Sequence, residues 1–481
     1  MTNQNNNTQC DIGLIGLGVM GRNFAQNMAD RGYAVAGYDR DGDKTQALIS
    51  EKNDRQDLQA ARDVGTFLKM LKKPRAVMML VPAGDPVDAV IADLVPHLDA
   101  ADLIIDSGNS HFSDTNRRLR RLEEKGYFYL GMGMSGGAAG ARKGPSLMPG
   151  GSVAGYERIS KILEDSAAFV NDEPCVAYLG PGSAGHYVKM VHNGIEYGLM
   201  QLIAETYDLM KRGLGMTNPE LQAVYEQWNS GELSGFLMEI TTEIFGRVDD
   251  QSDQSLIDMI LDVARQKGTG EWTARDALAL QVPAVNIDTA VMMRYLSAYK
   301  NQRQEAGLML TGPEPRFDQD DRATFIPRLK NVLYAAFIIT YAQGMALLTE
   351  ASRKYKYGLQ LETVARIWRG GCIIRAALLD DVRSAYQADP DLDSLLLNDH
   401  FSRILTERIN DLRYVIGVAA AHGLPVPALM SSLAYFDAIR SPWLPANLIM
   451  AQRDYFGSHT YERTDRDGTF HTRWDEHKEN S

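Results

Sequence analysis

The apolar run at 11–17 passes without interruption into Gly16-Leu17-Gly18-Val19-Met20-Gly21 and then into a stretch of helical periodicity. Three glycines at that spacing, between a strand and a helix, require a tight turn whose backbone N–H groups converge at the positive end of the helix. Such a turn suits a pyrophosphate, and it belongs to parallel sheets covered by helices on both faces. Asp39 ends the second apolar run, eighteen residues past Gly21, where a carboxylate meets the adenosine ribose of a dinucleotide.

From Asp11 to about Leu179, short apolar runs alternate with amphipathic stretches. Candidate strands fall at 11–17, 34–39, 75–81, 102–108, 127–133 and 175–180, which predicts an α/β, Rossmann-like, doubly wound domain over 1–183. Around 181–186 the strand-like runs stop, and helical spacing predicts a large all-α domain over 184–440. Within it MQLIAETYDL (200–209) resembles MALLTEASRK (345–354), and Trp228 in EQWNSG resembles Trp368 in RIWRGG, so an internal helical repeat is expected. The last segment, 441–481, is polar and too poor in aliphatic residues to form a core alone; its AQRDYFGSHTYER block mixes aromatic and basic residues as a docking segment does.

The formal charge of −12 argues against nucleic acid or an anionic membrane surface as partner, so an anionic ligand needs a locally basic pocket. Cys10, Cys175 and Cys372 are far apart and odd in number, as in a chain kept reduced. The start MTNQNNNTQ has neither a basic n-region nor an apolar h-region, and the apolar runs fall short of the ~20 residues of a membrane span. A cytoplasmic protein is expected. The histidines lack paired spacing with Cys, Asp or Glu, so a metal-free mechanism is expected as well.

The densest chemistry lies in GHYVKMVHNGIEYG (185–198), where Lys189, His192, Asn193 and Glu196 fall at i, i+3, i+4 and i+7. That spacing puts an amine, an imidazole, an amide and a carboxylate on one helix face, the parts for proton transfer and for gripping hydroxyls. The runs 102–108 and 127–133 lead into IDSGNSHFSDT and GMGMSGGAAGARKGPSLMPGG, at the carboxyl ends of strands where ligands bind in parallel sheets. There Ser135, Gly136 and Gly137 can present N–H groups and a hydroxyl to a carboxylate. Lys267, Thr269 and Arg294 suit phosphate oxygens. The cofactor reading stays open: Asp39 favours the ribose diol of NAD, Arg40 stacks on adenine or reaches the 2′-phosphate of NADP, and Asp41 repels that phosphate.

In this order GLGVMG, IDSGNSHFSDT, SGGAAGARKGPSLMPGG, GHYVKMVHNGIEYG, KGTGEWT, GCIIRA and LPANLIMAQRDYFGSHTY resemble the decarboxylating 6-phosphogluconate dehydrogenases, within the β-hydroxyacid dehydrogenases, over nearly the whole chain. The resemblance implies oxidation of 6-phospho-D-gluconate at C3 with reduction of NADP, then decarboxylation to ribulose 5-phosphate, a step of the oxidative pentose phosphate pathway and of gluconate use. It implies that Lys189 is the general base and later acid at the C3 oxygen, and that Glu196 protonates C1 of the enediol. Gly16, Gly18, Val19, Met20, Gly21, Asp39, Arg40, Asp41, Val81 and Asn109 are then expected at the cofactor. Ser135, Gly136 and Gly137 are expected at the substrate carboxylate, and Asn109, His192 and Asn193 at its hydroxyls. Tyr197, Lys267, Thr269, Arg294 and Arg453 are expected at the phosphate, with Arg453 and His459 contributed by the neighbouring subunit of a homodimer.

The chain departs from the family at four places. Asp39-Arg40-Asp41 stands for Asn-Arg-Thr or Asn-Arg-Ser, Pro82 and Glu271 for lysines, and Ala138-Ala139 for a Glu-Glu pair. The alternatives are a non-decarboxylating β-hydroxyacid dehydrogenase acting on a smaller acid, which would not need Arg294 and Arg453, and a non-catalytic dinucleotide-binding protein.

Overall fold

Four-residue apolar runs make the middle of the sheet. The computed structural model describes residues 9–51, 57–317 and 322–474. Strands β1 (Ile12–Ile15), β2 (Val35–Tyr38), β3 (Leu58–Ala61), β4 (Ala76–Met79), β5 (Leu103–Asp106), β6 (Phe128–Ser135) and β7 (Ser146–Gly151) lie in the order β3-β2-β1-β4-β5-β6-β7. The first six pair in parallel, and β7 returns antiparallel to β6 with Ser135 opposite Ser146. Helices α1 (Val19–Asp30), α2 (Gly42–Glu51), α3 (Val64–Lys69), α4 (Asp85–Leu94), α5 (Phe112–Glu123) and α6 (Gly137–Lys143) fill the crossovers. Successive strand residues serve opposite faces: Leu14, Met78 and Ile105 join Phe24 and Met28 in one core, whereas Ile15, Met79 and Ile104 join Phe67 and Leu94 in the other. The sheet is therefore doubly wound, with chain reversal at the β1–β4 junction, where such sheets bind ligands.

The expected strand at 175–180 is a correction. Only Val176 pairs there, in an isolated bridge to Leu147 beyond α7 (Val153–Glu157), α8 (Ser160–Ser166) and the small hairpin β8 (Phe169–Val170) and β9 (Glu173–Pro174). Two strands were hidden instead. LQAA at β3 is short and half-polar in its burial, and SLMPGG at β7 carries a proline and two glycines, residues that weaken a strand signal and that an end strand tolerates.

Past Ser183 the chain is helical. Helices α9 (Ala184–Asp208), α10 (Asn218–Asn229), α11 (Phe236–Gly246), α12 (Leu256–Met259), α13 (Thr269–Ala279), α14 (Val285–Ala298) and α15 (Lys300–Met309) lead to the 34-residue α16 (Arg322–Tyr355), then α17 (Leu361–Trp368), α18 (Leu378–Ala388), α19 (Asp399–Ala421) and α20 (Pro427–Ile439). Helix α16 is long and apolar enough to cross a membrane by length and composition, but 89% of its apolar window is buried inside the protein. It is a core helix lying against α9, with Gly344 facing Ile195 and Thr340 facing Gly198.

The two tryptophans of the resembling sequence motifs both end helices and lie in contact-forming segments. Trp228 closes α10 and Trp368 closes α17, both buried. Just beyond each, Gly235 and Ala376 meet in an antiparallel bridge, in which Phe236 N–H donates to Arg375 O and Ala377 N–H to Ser234 O.

The chain forms two compact units, Met1–Ser432 and Leu433–Ser481. In the second, α21 (Ala446–Gly457) and the hairpin of β10 (Tyr461–Glu462) and β11 (Thr469–Phe470) gather around fully buried Asp454. Its carboxylate accepts from Thr460 N–H, His471 Nδ1, Thr472 N–H and Trp474 Nε1 at 2.8–3.0 Å.

Candidate active site

The glycine turn lies between β1 and α1 as its spacing requires. Gly16 has φ +95° and sits where a Cβ would strike the Leu80 carbonyl, so only glycine fits. Around Gly18 a Cβ would meet nothing within 4 Å, which leaves the backbone open to a ligand. Two clefts share this turn. One of about 370 Å³ is lined by Gly16, Gly18, Tyr38, Asp39, Arg40, Lys44 and Val81, among others. The other, about 1080 Å³, runs from Gly18, Val19, Met20, Gly21 and Val81 past Asn109 to Asn193, Glu196, Tyr197, Lys267, Thr269 and Arg294. An elongated dinucleotide fits the pair, with its pyrophosphate at the shared glycines.

Asp39 is already engaged. Its Oδ2 accepts from Leu17 N–H at 2.8 Å and its Oδ1 from Asp41 N–H at 2.9 Å, so the carboxylate stiffens the turn as well as facing the smaller cleft. Asp41 pairs with Lys44 at 3.6 Å and is not among the residues lining that cleft.

Helix α9 brings Asn193 and Glu196 to the lining of the large cleft, while Lys189 lines a small cavity beside Asn109 and Thr269. Lys189 is buried to 6% exposure, packed against Gly133 of β6, where any side chain would collide with it. Its Nζ donates to Asn193 Oδ1 at 2.8 Å and lies 3.3 Å from His192 Nδ1. His192 Nδ1 is 3.0 Å from the same Asn193 oxygen, and its Nε2 is 3.3 Å from Ser135 Oγ, which accepts from Ile373 N–H at 3.4 Å. With His192 neutral and its proton on Nδ1, Nδ1 donates to Asn193 Oδ1 and Nε2 accepts from Ser135 Oγ.

Burial tunes these groups toward each other. It lowers the Lys189 amine to about 8, against the opposing pull of Glu196. It pushes His192 well below its ordinary range, with the nearby lysine charge adding to the effect. It raises Glu196, partly offset by Lys189 and Arg294. An amine that loses its proton near neutrality and an acid that holds one more readily than usual form a matched base and acid.

The far end of the cleft is cationic. The Arg294 guanidinium lies 3.5 Å over the Tyr197 ring and donates to Arg265 O at 3.4 Å. Thr273 Oγ1 donates to Met190 O at 2.8 Å, which fixes α13, and with it Thr269, against α9. Ser135, Gly136 and Gly137 lie behind the lining at the β6–α6 junction, Gly136 close against Gly371 O of the GCIIRA segment. Arg453 and His459 belong to the second unit, on α21 and just after it; His459 lines an open cleft of about 690 Å³ there.

Sequence reasoning missed His111, Trp272 and Arg265, which also line the large cleft. Trp272 stood within the quoted KGTGEWT motif, and its edge packs on His111 with ring centroids 5.1 Å apart. His111 and Arg265 had no distinguishing signal beyond their neighbours. Of the departures, Pro82 lines both clefts, Ala138 and Ala139 are exposed on α6, and Glu271 is held by Arg275 at 2.5 Å and by Tyr295 OH at 2.7 Å.

Comparison with known proteins agrees along the whole chain. Residues 11–180 match the NAD binding domain of 6-phosphogluconate dehydrogenase, and residues 185–474 match the C-terminal domain of the same enzyme. The chain is 51% identical over 465 residues to the decarboxylating 6-phosphogluconate dehydrogenase of Synechococcus elongatus, covering 96% of this chain and 99% of that one. It is 47% identical to the NADP(+)-dependent, decarboxylating enzyme of Bacillus subtilis, covering 96% and 98%. A solved Plasmodium falciparum 6-phosphogluconate dehydrogenase, studied apo, with NADP+ and with 6-phosphogluconate, superposes with a TM-score of 0.92 at 44% identity, covering 97% of this chain and 100% of that one. With both halves matched and half of the residues identical to a decarboxylating relative covered almost end to end, the chain belongs to the decarboxylating 6-phosphogluconate dehydrogenase family.

Proposed function

We propose that this chain oxidises 6-phospho-D-gluconate at C3 and decarboxylates the product to ribulose 5-phosphate and CO₂, with NADP as the cofactor, as in its relatives. The observation that carries this reading is the buried Lys189 amine tied to Asn193, which with Glu196 lines a cleft running from the glycine turn to the cations Lys267 and Arg294. NADP, when bound, accepts the hydride from C3.

Lys189 in its neutral form takes the C3 hydroxyl proton as hydride leaves. Once protonated, it faces the C3 carbonyl oxygen and stabilises the negative charge that builds there as CO₂ departs. Glu196, seven residues along the same helix, then delivers a proton to the carbon that lost CO₂, C2 of the substrate and C1 of the ribulose 5-phosphate enediol. Asn109, His192 and Asn193 grip the substrate hydroxyls, and Ser135 with the Gly136 and Gly137 backbone holds the carboxylate. Tyr197, Lys267, Thr269 and Arg294 take the phosphate, the stacked guanidinium of Arg294 being pre-set for it.

A homodimer completes the site by exchanging tails, so that Arg453 and His459 serve the neighbouring subunit. Two features support this. On the first unit Met292, Leu296 and Tyr299 form an exposed apolar stripe continued by Leu308, Met309 and Leu310; on the second, Leu448, Ile449, Tyr455 and Phe456 are exposed along α21. The enzyme works in the cytoplasm, where its substrate and cofactor are dissolved.

Mixing the protein with 6-phosphogluconate and NADP while following reduced cofactor and CO₂ together tests the proposal. Equal yields of both are expected. Reduced cofactor without CO₂ would point to a non-decarboxylating dehydrogenase, and neither product would overturn the reading.

A further inference from the structure

Arg118, on α5 behind the wall of the large cleft, is 2% exposed, and every N–H of its guanidinium has an acceptor. Nε donates to Asp88 Oδ1 at 3.2 Å, and Nη2 donates to Asp88 Oδ2 at 2.8 Å and to Gly84 O at 2.9 Å. Nη1 donates to Ser110 Oγ at 3.2 Å and to Asp106 Oδ2 at 3.4 Å. These bonds divide between two separate pieces of chain. One is Gly84 with the first turn of α4; the other is the end of β5 with the loop after it.

Both pieces form the wall of the cleft, Pro82, Ala83 and Gly84 on one side and Ser107, Gly108 and Asn109 on the other. Fully buried Asp106 completes the joint. Its Oδ2 also accepts from Ser110 Oγ at 2.6 Å and Tyr129 OH at 3.1 Å, and its Oδ1 from Gly108 N–H at 3.2 Å. A rigid fork whose donors are all taken fixes its acceptors relative to one another, which a point-charge ammonium with three donors does not do.

We propose that Arg118 is a positioning residue: it holds the 82–84 loop and the 107–110 loop in one register, so that Asn109 meets substrate and nicotinamide together. The inference rests on the reading of Asn109 as a ligand-binding residue. Arg118 itself does not line the cleft; it acts through the loops it joins.

A double-mutant cycle on the full-length enzyme tests it, using Arg118→Lys, Asn109→Ala and both together, with kcat, KM for each ligand and Tm measured on every variant. Arg118→Lys is expected to lower kcat/KM on the order of 10²-fold, the effect of a small misplacement at a reacting centre. In the Asn109→Ala background the same change is expected to cost less than about threefold, because the group it places is already gone. Should Arg118→Lys fold poorly, Ser110→Ala is the second probe; it removes one acceptor while leaving the charge paired, and a smaller loss, again absorbed by Asn109→Ala, is expected.

A loss of the same size in both backgrounds overturns the positioning role, as does a lowered Tm with kcat and KM unchanged. An Asn109→Ala variant with normal kinetics instead overturns the reading of Asn109, and the coupling with it.

Discussion

Lys189 and Asn193 lie one helical turn apart on α9, and the amine of the first donates to the amide oxygen of the second at 2.8 Å. The bond fixes the amine in direction while burial removes the water that would hold its proton. Position and proton affinity are thus set by the same packing.

In the proposed mechanism the neutral amine is the working base, so activity follows its deprotonation. With the amine lowered to about 8, kcat/KM is expected to rise with pH below about 8 and to level off above it. Lys189→Ala is expected to cost at least ~10³-fold in the hydride step. A pH–rate profile flat between about 6.5 and 8.5 would contradict the assignment.

Glu196 acts late. Glu196→Gln is expected to leave first-turnover cofactor reduction visible while slowing ribulose 5-phosphate formation by ~10²- to 10⁴-fold. Rapid-quench analysis in D₂O separates the two, since deuterium entering C1 reports the final proton delivery. Equal slowing of both steps would remove the division of roles.

Arg294 stacks on Tyr197, and in the proposed function it binds the substrate phosphate from there. Arg294→Ala is expected to raise KM for 6-phosphogluconate by about 10²-fold, the worth of one or two charge-assisted bonds, and to leave the slow turnover of unphosphorylated gluconate unchanged. Steady-state kinetics on the two substrates check this. A parallel loss on both would place Arg294 away from the phosphate.

Asp39 lines the smaller cleft, where the proposed cofactor would place its adenosine ribose, and there its charge would oppose a 2′-phosphate. Asp39→Asn keeps an acceptor for Leu17 N–H and removes the charge. The ratio of kcat/KM for NADP to that for NAD is expected to rise by at least about tenfold, from relief of a like-charge contact. An unchanged ratio would place the 2′-hydroxyl away from Asp39.

The sheet, the glycine turn and the α9 face were legible because each is a local pattern: period two with apolar runs, glycines at fixed offsets, polar groups at i, i+3, i+4 and i+7. The strand at 146–151 was not, since Pro149 and two glycines carry no strand preference and its place comes from pairing with β6. Lys189 and Glu196 could be chosen from spacing, but the Ser135–His192 contact joins residues 57 apart and exists only once β6 and α9 are packed. The Arg118 joint was invisible for the same reason. Its acceptors lie 8 to 34 residues away, and RRLRRLE reads as a solvated helix.

The bridge between Gly235 and Ala376 joins the two stretches that follow the resembling tryptophan motifs. Shifting α9 by the 145 residues that relate MQLIAETYDL to MALLTEASRK sets Lys189, His192, Asn193 and Glu196 against Tyr334, Phe337, Ile338 and Tyr341, all buried. At those four positions the resembling stretch carries no amine, imidazole, amide or carboxylate, so it offers no second seat for the proton transfers proposed on α9.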